Sequence, residues 1–232
     1  MARRRTVGSR TYGFLVAGLI AVICISVKSQ ESSPVTAVRR LESEGGGAQL
    51  QTIKVTGPIA PTTPLRDPAH GYPYNSTPLD LAKHAYVEEE FFIEGQANTY
   101  NTPPGLTGSV KDSNHPFKIR IVVRRPKSAT KFNGSVVVEW YNVSQGHDGE
   151  YDWFQSAEHI LAEGYAWVGV SNQKVGVNSL KEWSPARYGT LDVTAEGTIN
   201  DDSLCYDAFT AAAIAIRGKG ARMLWADSKQ HG

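Results

Sequence analysis

The chain has 232 residues, of which 41% are hydrophobic and 20% are charged, as is typical of a globular protein with a packed core. Five basic residues and no acidic residue lie in the first 29 positions. The rest of the chain holds 19 basic and 23 acidic residues, which is a net charge of −4. A mildly acidic body gives no electrostatic reason to bind nucleic acid, so we predict no nucleic-acid partner.

The first 29 residues have the pattern of a targeting segment. Three consecutive arginines, Arg3 to Arg5, lie ahead of an apolar run from Phe14 to Val27, which is shorter than the roughly 20 residues that a transmembrane helix needs. We predict a signal peptide over residues 1–29 that is cleaved after Ser29. The alternatives are an uncleaved signal anchor, which would tether the protein to a membrane through residues 11–27, and a buried core helix. Either of the first two makes the protein secreted or membrane-anchored, outside the cytoplasm.

The next two segments carry no strand or helix pattern. Residues 30–52 are polar and include three consecutive glycines, so we predict a flexible tether without a core. The folded domain is expected over residues 53–232. It begins with five prolines between Ile53 and Tyr74, which predict an extended segment that wraps the domain surface.

Two apolar runs after the proline-rich segment predict a β-hairpin. Residues 86–93 have the sequence YVEEEFFI, and residues 117–123 alternate apolar with basic side chains. We expect these strands to pair antiparallel as the entry hairpin of a larger sheet. Three consecutive acids, Glu88, Glu89 and Glu90, are interpreted as a solvated strand face and not as a metal site, because no histidine or aspartate lies at ligand spacing.

A strand–helix–strand unit is predicted after the hairpin. Residues 135–140, SVVVEW, and residues 166–170 are apolar enough to be buried on both faces, which indicates a parallel pair. Between them Asp152 is expected to cap a helix that Gly164 ends, and an alanine-rich helix is predicted over residues 204–217. Together these elements predict an α/β fold with a mainly parallel sheet, an N-terminal antiparallel hairpin and flanking helices.

The loop from Asn142 to Tyr151 leaves the carboxyl end of the most buried predicted strand, which is where open α/β sheets bind ligands. We predict that Asn142 and His147 line a site there, with a solvated loop histidine as the alternative for His147. The six histidines form no metal spacing with a second histidine or a cysteine, so no metal ion and no cofactor is predicted. Cys205 is expected to be a buried structural thiol.

Four stretches carry a family resemblance: YVEEEFFIEGQANTY at 86–100, IRIVVRRP at 119–126, FNGSVVVEWYNVS at 132–144 and EGYAWVGVSNQKVGV at 163–177. In this order they resemble the α/β-hydrolase superfamily. More closely, they resemble an uncharacterised family described as "alpha/beta hydrolase domain" proteins. The resemblance begins at Tyr86 and fades after Arg217.

The resemblance implies a serine–acid–histidine triad, with the serine on a G-x-S-x-G-like elbow between a strand and a helix. In this family the elbow follows the helix matched by residues 204–217 and one further strand. No G-x-S-x-G occurs in the 232 residues. The nearest string ends in Ser171-Asn172-Gln173 and lacks the second glycine, so Ser171 is predicted to be a loop hydroxyl or a site-lining polar group and not the nucleophile. No catalytic residue is therefore assigned.

The resemblance also implies that the loop after SVVVEW donates a backbone N–H to an oxyanion hole. We assign Val143 and Ser144 as candidate backbone donors and Gly146 as the residue that permits the turn. The alternative is an ordinary strand-to-helix loop.

The sequence thus predicts that residues 53–232 are the N-terminal part of an alpha/beta hydrolase domain. The expected activity is hydrolysis of a small-molecule carboxylic ester by acyl transfer to a serine. We expect the chain to stop before that serine and to be inactive as given. The alternatives are a non-catalytic, secreted or membrane-tethered binding or structural protein, and a non-functional product of gene prediction.

Overall fold

The computed structural model of the protein describes residues 53–217 and the backbone of one short strand, Val22–Ser26. Six strands form one sheet. They are β1 (Val22–Ser26), β2 (Lys54–Thr56), β3 (Tyr86–Asn101), β4 (Ser109–Pro126), β5 (Ser135–Trp140) and β6 (Ala166–Ser171). The α-helices are α1 (Tyr151–Glu163), α2 (Lys174–Trp183), α3 (Pro185–Tyr188) and α4 (Cys205–Arg217), and two short 3₁₀-helices span Leu81–His84 and Ala129–Lys131.

The strand order is β1-β5-β6-β4-β3-β2. β5 and β6 run parallel, and the other four neighbouring pairs are antiparallel. The α/β class, the flanking helices and the β3–β4 hairpin are therefore confirmed. The expectation of a mainly parallel sheet is wrong for the described residues. A helical crossover through α1 joins β5 to β6, and the strands on either side of this pair run the other way.

The predicted helix after β5 is present, but it begins differently from the prediction. α1 ends at Gly164, whose φ of +75° suits a glycine just after a helix. Its first turn has no side-chain cap from Asp152. Instead, the backbone N–H groups of Asp152 and Trp153 donate to the carboxylate of Glu139, at 3.1 and 3.0 Å. A buried strand residue therefore caps the helix, which a search for local capping patterns does not detect.

Each face of the sheet has its own hydrophobic cluster, because alternate strand residues point to opposite faces. On one face, Val136, Val138 and Val168 pack with residues of α2, α3 and α4. On the other face, Val122 and Trp167 pack with the apolar side of α1. Burial of each large apolar side chain stabilises the fold by about 1.5–3 kcal/mol. The sheet is thus covered on both faces, as in α/β proteins.

α2 lies in a stretch where neither a helix nor a strand is predicted from the sequence. It buries Gly176, Val177 and Leu180, and the rest of its surface is mostly polar or exposed. The helix has only ten residues, is polar on most of its surface and begins three residues after the end of β6, so no separate apolar segment marks it in the sequence. The helix matters for the site, because its first turn packs against the loop that follows β5.

β1 lies within the segment predicted to be a signal peptide or signal anchor. Its backbone pairs antiparallel with β5, with Val22 opposite Glu139 and Ser26 opposite Ser135. This differs from the expectation that residues 1–29 stay outside the fold. Cleavage, the membrane tether through residues 11–27 and the flexible tether over residues 30–52 stay predictions, since they concern residues largely outside the described ones. Among the described helices, none is long and apolar enough to cross a membrane.

Candidate functional site

The predicted site loop lies at the carboxyl ends of the parallel pair β5 and β6. It is closed on itself by two backbone hydrogen bonds between Asn142 and Gly149, of 3.2 Å and 2.9 Å. Ser171, the last residue of β6, lies at the same edge of the sheet. This edge is where open α/β sheets bind ligands, as the sequence reasoning expects.

The backbone N–H groups assigned to an oxyanion hole differ in how they are used. Ser144 donates its N–H to the side chain of Asn142 at 2.9 Å. Gly146 donates its N–H to the carbonyl of Val143 at 2.9 Å, and its φ of +84° is the turn conformation that favours glycine. Within the described part of the chain, no hydrogen bond from the Val143 N–H is present. The oxyanion role of these backbone groups stays a prediction.

Asp148 anchors this loop to the rest of the domain. Its Oδ2 accepts a 2.5 Å hydrogen bond from the hydroxyl of Ser171, and both side chains are buried. Burial raises the pKa of Asp148 to about 6, although the hydrogen bond from Ser171 acts in the opposite direction. The carbonyl of Asp148 accepts from Asn75 Nδ2 at 2.9 Å and lies 3.1 Å from Nδ1 of His147.

Gly176 in α2 makes room for the Asp148 carboxyl group. A Cβ at this position would lie 2.0 Å from Asp148 Oδ1 and 3.2 Å from Cγ1 of Val143. Oδ1 has no hydrogen-bond partner among the described residues. Asp148 is therefore fixed by its second oxygen and by the close approach of α2.

A buried ion cluster lies beneath Asp148 and Ser171. Arg120 is fully buried, and its Nε donates to Glu90 at 2.5 Å. Arg187 and the hydroxyl of Tyr188 also donate to the Glu90 carboxylate, each at 2.7 Å. Arg120 reaches Ser171 at 3.4 Å as well, so the cluster continues into the loop anchor.

Arg120 and a further buried arginine, Arg124, hold the end of the proline-rich segment that precedes β3. Arg120 donates to the carbonyl of Tyr74 at 2.5 Å, and Arg124 donates to the carbonyl of Asn75 at 2.9 Å. Arg124 itself lies between the rings of Trp153 and Trp167, 4.4 and 4.6 Å from their centroids. Buried cations thus position the extended segment beside the loop.

A surface pocket of about 390 Å³ lies between the extended segment, the loop and the start of α1. His147 contributes to its wall and Asn142 does not. The assignment of both residues to a functional site stays a prediction. The pocket is lined by Asn75, Ser76, Pro78, Gln145, His147, Asp148, Gly149, Glu150, Tyr151 and Phe154. A second pocket, of about 280 Å³, is lined by residues of α1 with Val137 and Tyr165, and no residue of the 142–149 loop contributes to it.

A family model described as "alpha/beta hydrolase domain" matches residues 55–230. The chain belongs to the alpha/beta hydrolase domain family. The resemblance stated from the sequence is therefore confirmed at the level of the family. The chain matches no curated protein and no solved structure.

No nucleophile is evident among the described residues of this alpha/beta hydrolase domain. The hydroxyl of Ser171 is buried and donates to a carboxylate, and no histidine contacts it in the described part of the chain. Ser171 is therefore a buried strand residue and not the predicted loop hydroxyl. Cys205 is buried, as predicted, and burial raises the pKa of its thiol to about 12, which disfavours the reactive thiolate.

Glu90 is the main error in the sequence interpretation of the site. The acids of β3 were expected to face solvent, yet Glu90 is buried and holds two arginines. The signal was present on the partner strand, where Arg124 lies opposite Glu88 and Arg120 opposite Phe92, two positions beyond Glu90. Basic residues inside an otherwise apolar strand indicate buried partners, because an unpaired buried charge is strongly disfavoured.

Proposed function

We propose that this chain provides the oxyanion side of a carboxylic-ester hydrolase that acts by acyl transfer to a serine. The observation that carries the proposal is the position of the 142–149 loop, at the carboxyl ends of the parallel strands in a chain of this family. In the proposed reaction, the N–H of Val143 stabilises the negative charge on the carbonyl oxygen of the tetrahedral intermediate. The substrate is a small-molecule ester held in the neighbouring pocket.

The serine in this proposal lies outside the described residues. A backbone N–H of the loop can serve only a nucleophile close to the carboxyl end of β5. A serine that follows a strand parallel to β5 meets this condition, because parallel strands end at the same edge of a sheet. The outer side of β5 is where β1 pairs in the structure. A nucleophile strand that joins beside β5 would take the place of β1.

Reading the source genome downstream of codon 232, and expressing the whole reading frame, tests this proposal. We expect a further strand and a serine elbow, and hydrolysis of activated short-chain esters that a serine-directed phosphonate abolishes. The phosphonate is expected to label the elbow serine and not Ser171. If the downstream sequence encodes neither a further β-strand nor a G-x-S-x sequence, the proposal is overturned for this gene.

The buried state of Ser171 favours one other function, a non-catalytic binding or structural protein. Its secretion or membrane tether is part of this second proposal and rests on the apolar N-terminal run alone. A folded, monomeric product without esterase activity would support this second function. Hydrolysis that a phosphonate abolishes would contradict it.

A further inference from the structure

His147 gives the pocket beside the loop a polar group that is held in place by the protein. We infer that His147 determines substrate specificity there, and that its Nε2 accepts a hydrogen bond from a hydroxyl group on an aryl or alkyl part of the ester. This inference rests on the proposed function, because it names the substrate class of the same site. It follows from the tautomer of the His147 ring, the accessibility of its Nε2 and the apolar wall beside it.

A backbone contact fixes the tautomer of the His147 ring. Nδ1 of His147 lies 3.1 Å from the carbonyl oxygen of Asp148. A carbonyl oxygen can only accept a hydrogen bond, so Nδ1 carries the proton that this bond requires. In the neutral ring Nε2 therefore holds the lone pair and acts as a hydrogen-bond acceptor.

Nε2 of His147 is open to a ligand. Within the described part of the chain, it has no hydrogen-bond partner and is not one of the buried polar atoms. The side chain is half-buried and contributes to the wall of the pocket. A ligand that brings a hydrogen-bond donor to this atom keeps a bond that it makes with water, whereas a ligand group without a donor leaves the acceptor unpaired.

A second contact holds the His147 ring in place. The ring of Tyr74 meets it edge to face, with 6.4 Å between the ring centroids and 70° between the ring planes. Tyr74 is itself fixed, because its N–H donates to the hydroxyl of Tyr188 at 2.8 Å and its carbonyl accepts from Arg120 at 2.5 Å. An acceptor that is already ordered loses little conformational entropy when a ligand binds, so it discriminates well between ligand groups.

The acids in the pocket wall do not take part in this recognition. The carboxylate of Asp148 accepts the hydroxyl of Ser171, and the carboxylate of Glu150 pairs with Arg124 at 2.7 Å. The oxygens of these carboxylates that lack a hydrogen-bond partner among the described residues are buried. Polar recognition in the pocket therefore depends on uncharged groups, of which His147 is held by the two contacts above.

The apolar part of the wall fits the aryl or alkyl body that carries the hydroxyl group. Phe154 lines the pocket although 68% of its surface is exposed, and Pro78 and Tyr151 also line it. Pockets that bind small organic molecules combine such apolar walls with a few placed polar groups. An ester with a hydroxylated aryl group matches both parts of the wall.

Binding of three matched anilides to the full chain tests the inference without requiring turnover. The probes are para-hydroxyacetanilide, para-methylacetanilide and para-methoxyacetanilide, and only the first has a para group that donates a hydrogen bond. At about pH 8, where an ordinary imidazole is neutral, we expect chemical-shift titrations to show about three- to tenfold tighter binding of the hydroxyl probe. Equal affinities, or binding of no probe at the pocket, would overturn the inference. A nitrogen NMR spectrum in which Nε2 of His147 carries the proton instead of Nδ1 would also overturn it.

Two variants and a control assign the preference to His147. His147→Phe keeps a ring in the wall and removes both nitrogens, so the hydroxyl probe is expected to lose its advantage over the methyl probe. Phe154→Ala removes an exposed part of the apolar wall and is expected to weaken all three probes severalfold. His159→Phe, at an exposed histidine of α1 outside this pocket, is the control and is expected to keep the preference. A hydroxyl preference that persists in His147→Phe would contradict the role of His147.

The outcome is separable from that of the proposed function. A preference for the hydroxyl probe in a chain whose completed reading frame shows no esterase activity would keep His147 as a binding residue and refute the hydrolase. Esterase activity without a preference for the hydroxyl probe would keep the hydrolase and refute the inference about substrate class.

Discussion

The hydroxyl of Ser171 donates a 2.5 Å hydrogen bond to the carboxylate of Asp148, and this bond joins the end of β6 to the loop that follows β5. The two residues are 23 positions apart in the sequence and are both buried. Because Asp148 also contacts Asn75 through its carbonyl, one residue ties the loop to both the sheet and the extended segment. The shape of the candidate site therefore depends on this pair.

Replacing Ser171 by alanine tests the importance of the pair for stability. The variant leaves the buried Asp148 carboxylate without its hydroxyl donor, and such a loss costs about 1–3 kcal/mol. We expect this decrease in the free energy of unfolding, measured with urea. Ser156→Ala removes a hydroxyl that bonds the carbonyl of Asp152 within α1, and is expected to change stability by no more than about 0.5 kcal/mol. Equal losses of unfolding free energy in the two variants would show that the bond between Ser171 and Asp148 has no special importance for stability.

The pH dependence of the free energy of unfolding tests the protonation state of Asp148. Burial raises its pKa from 3.8 to about 6, so the folded state binds this proton more tightly than the unfolded state. The resulting stabilisation is complete below pH 3.8 and is lost as the pH rises through about 6. Its size is on the order of 3 kcal/mol, since each pKa unit corresponds to about 1.36 kcal/mol.

The measurement compares the wild-type protein with Asp148→Asn between pH 4 and pH 7.5 (roughly the range over which the linkage acts). We expect the unfolding free energy of the wild type to fall more steeply with rising pH than that of the variant, because asparagine does not titrate. Burial also raises the pKa of Glu139, to about 7, and this contribution remains in both proteins. Parallel curves for the two proteins would show that Asp148 does not titrate as described.

Gly176→Ala tests the close approach of α2 to the loop. Alanine would favour the helix by about 1 kcal/mol. Its Cβ would lie 2.0 Å from Asp148 Oδ1, however, and crowding of this kind costs about 1–3 kcal/mol or more. We therefore expect net destabilisation. Val175→Ala, at an exposed position of the same helix, serves as the control for effects on α2 itself.

A double variant separates crowding from helix propensity. In the Asp148→Ala background the carboxyl group that meets the new Cβ is absent, so Gly176→Ala is expected to cost at least about 1 kcal/mol less than in the wild type. Additive effects of the two substitutions would show that the residues do not interact.

Because of the buried ion cluster, we expect two glutamates of β3 to contribute very differently to the free energy of unfolding. Glu90→Gln leaves the buried Arg120 and Arg187 without their shared carboxylate, which is expected to cost about 3–5 kcal/mol. Glu94→Gln removes a partner of Lys54, whose side chain is 66% exposed, and is expected to cost at most about 1 kcal/mol. Urea unfolding of both variants measures the difference. Similar losses would refute the structural role of the cluster.

The sequence predicts the local elements of this fold better than its long-range polar contacts. The β5–α1–β6 unit and the β3–β4 hairpin follow from apolar patterns and turn residues, and the structure confirms both. The antiparallel pairing of β4 with β6 joins strands that are distant in the chain, and no local pattern specifies it.

The candidate site also depends on contacts between residues that are distant in the sequence, which local patterns do not predict. The position of the loop could be predicted because it follows a strongly apolar strand, whereas the role of His147 in it stays a prediction. Asp148 and Ser171 could not be paired, since their contact arises only when β5 and β6 lie side by side. Glu139 was not recognised as the helix cap for the same reason, because it lies on a strand and meets α1 through tertiary structure.

Photoaffinity labelling tests most directly whether an ester binds in the proposed pocket beside the 142–149 loop. A neutral aryl ester analogue with a photoreactive diazirine is cross-linked to the full chain, and the labelled peptides are identified by mass spectrometry. We expect labels within residues 75–78 and 145–154, which include the lining residues of the pocket, and loss of most labelling in Phe154→Ala. Labels confined to the pocket at Val137, His159 and Tyr165 would show that the ester binds elsewhere.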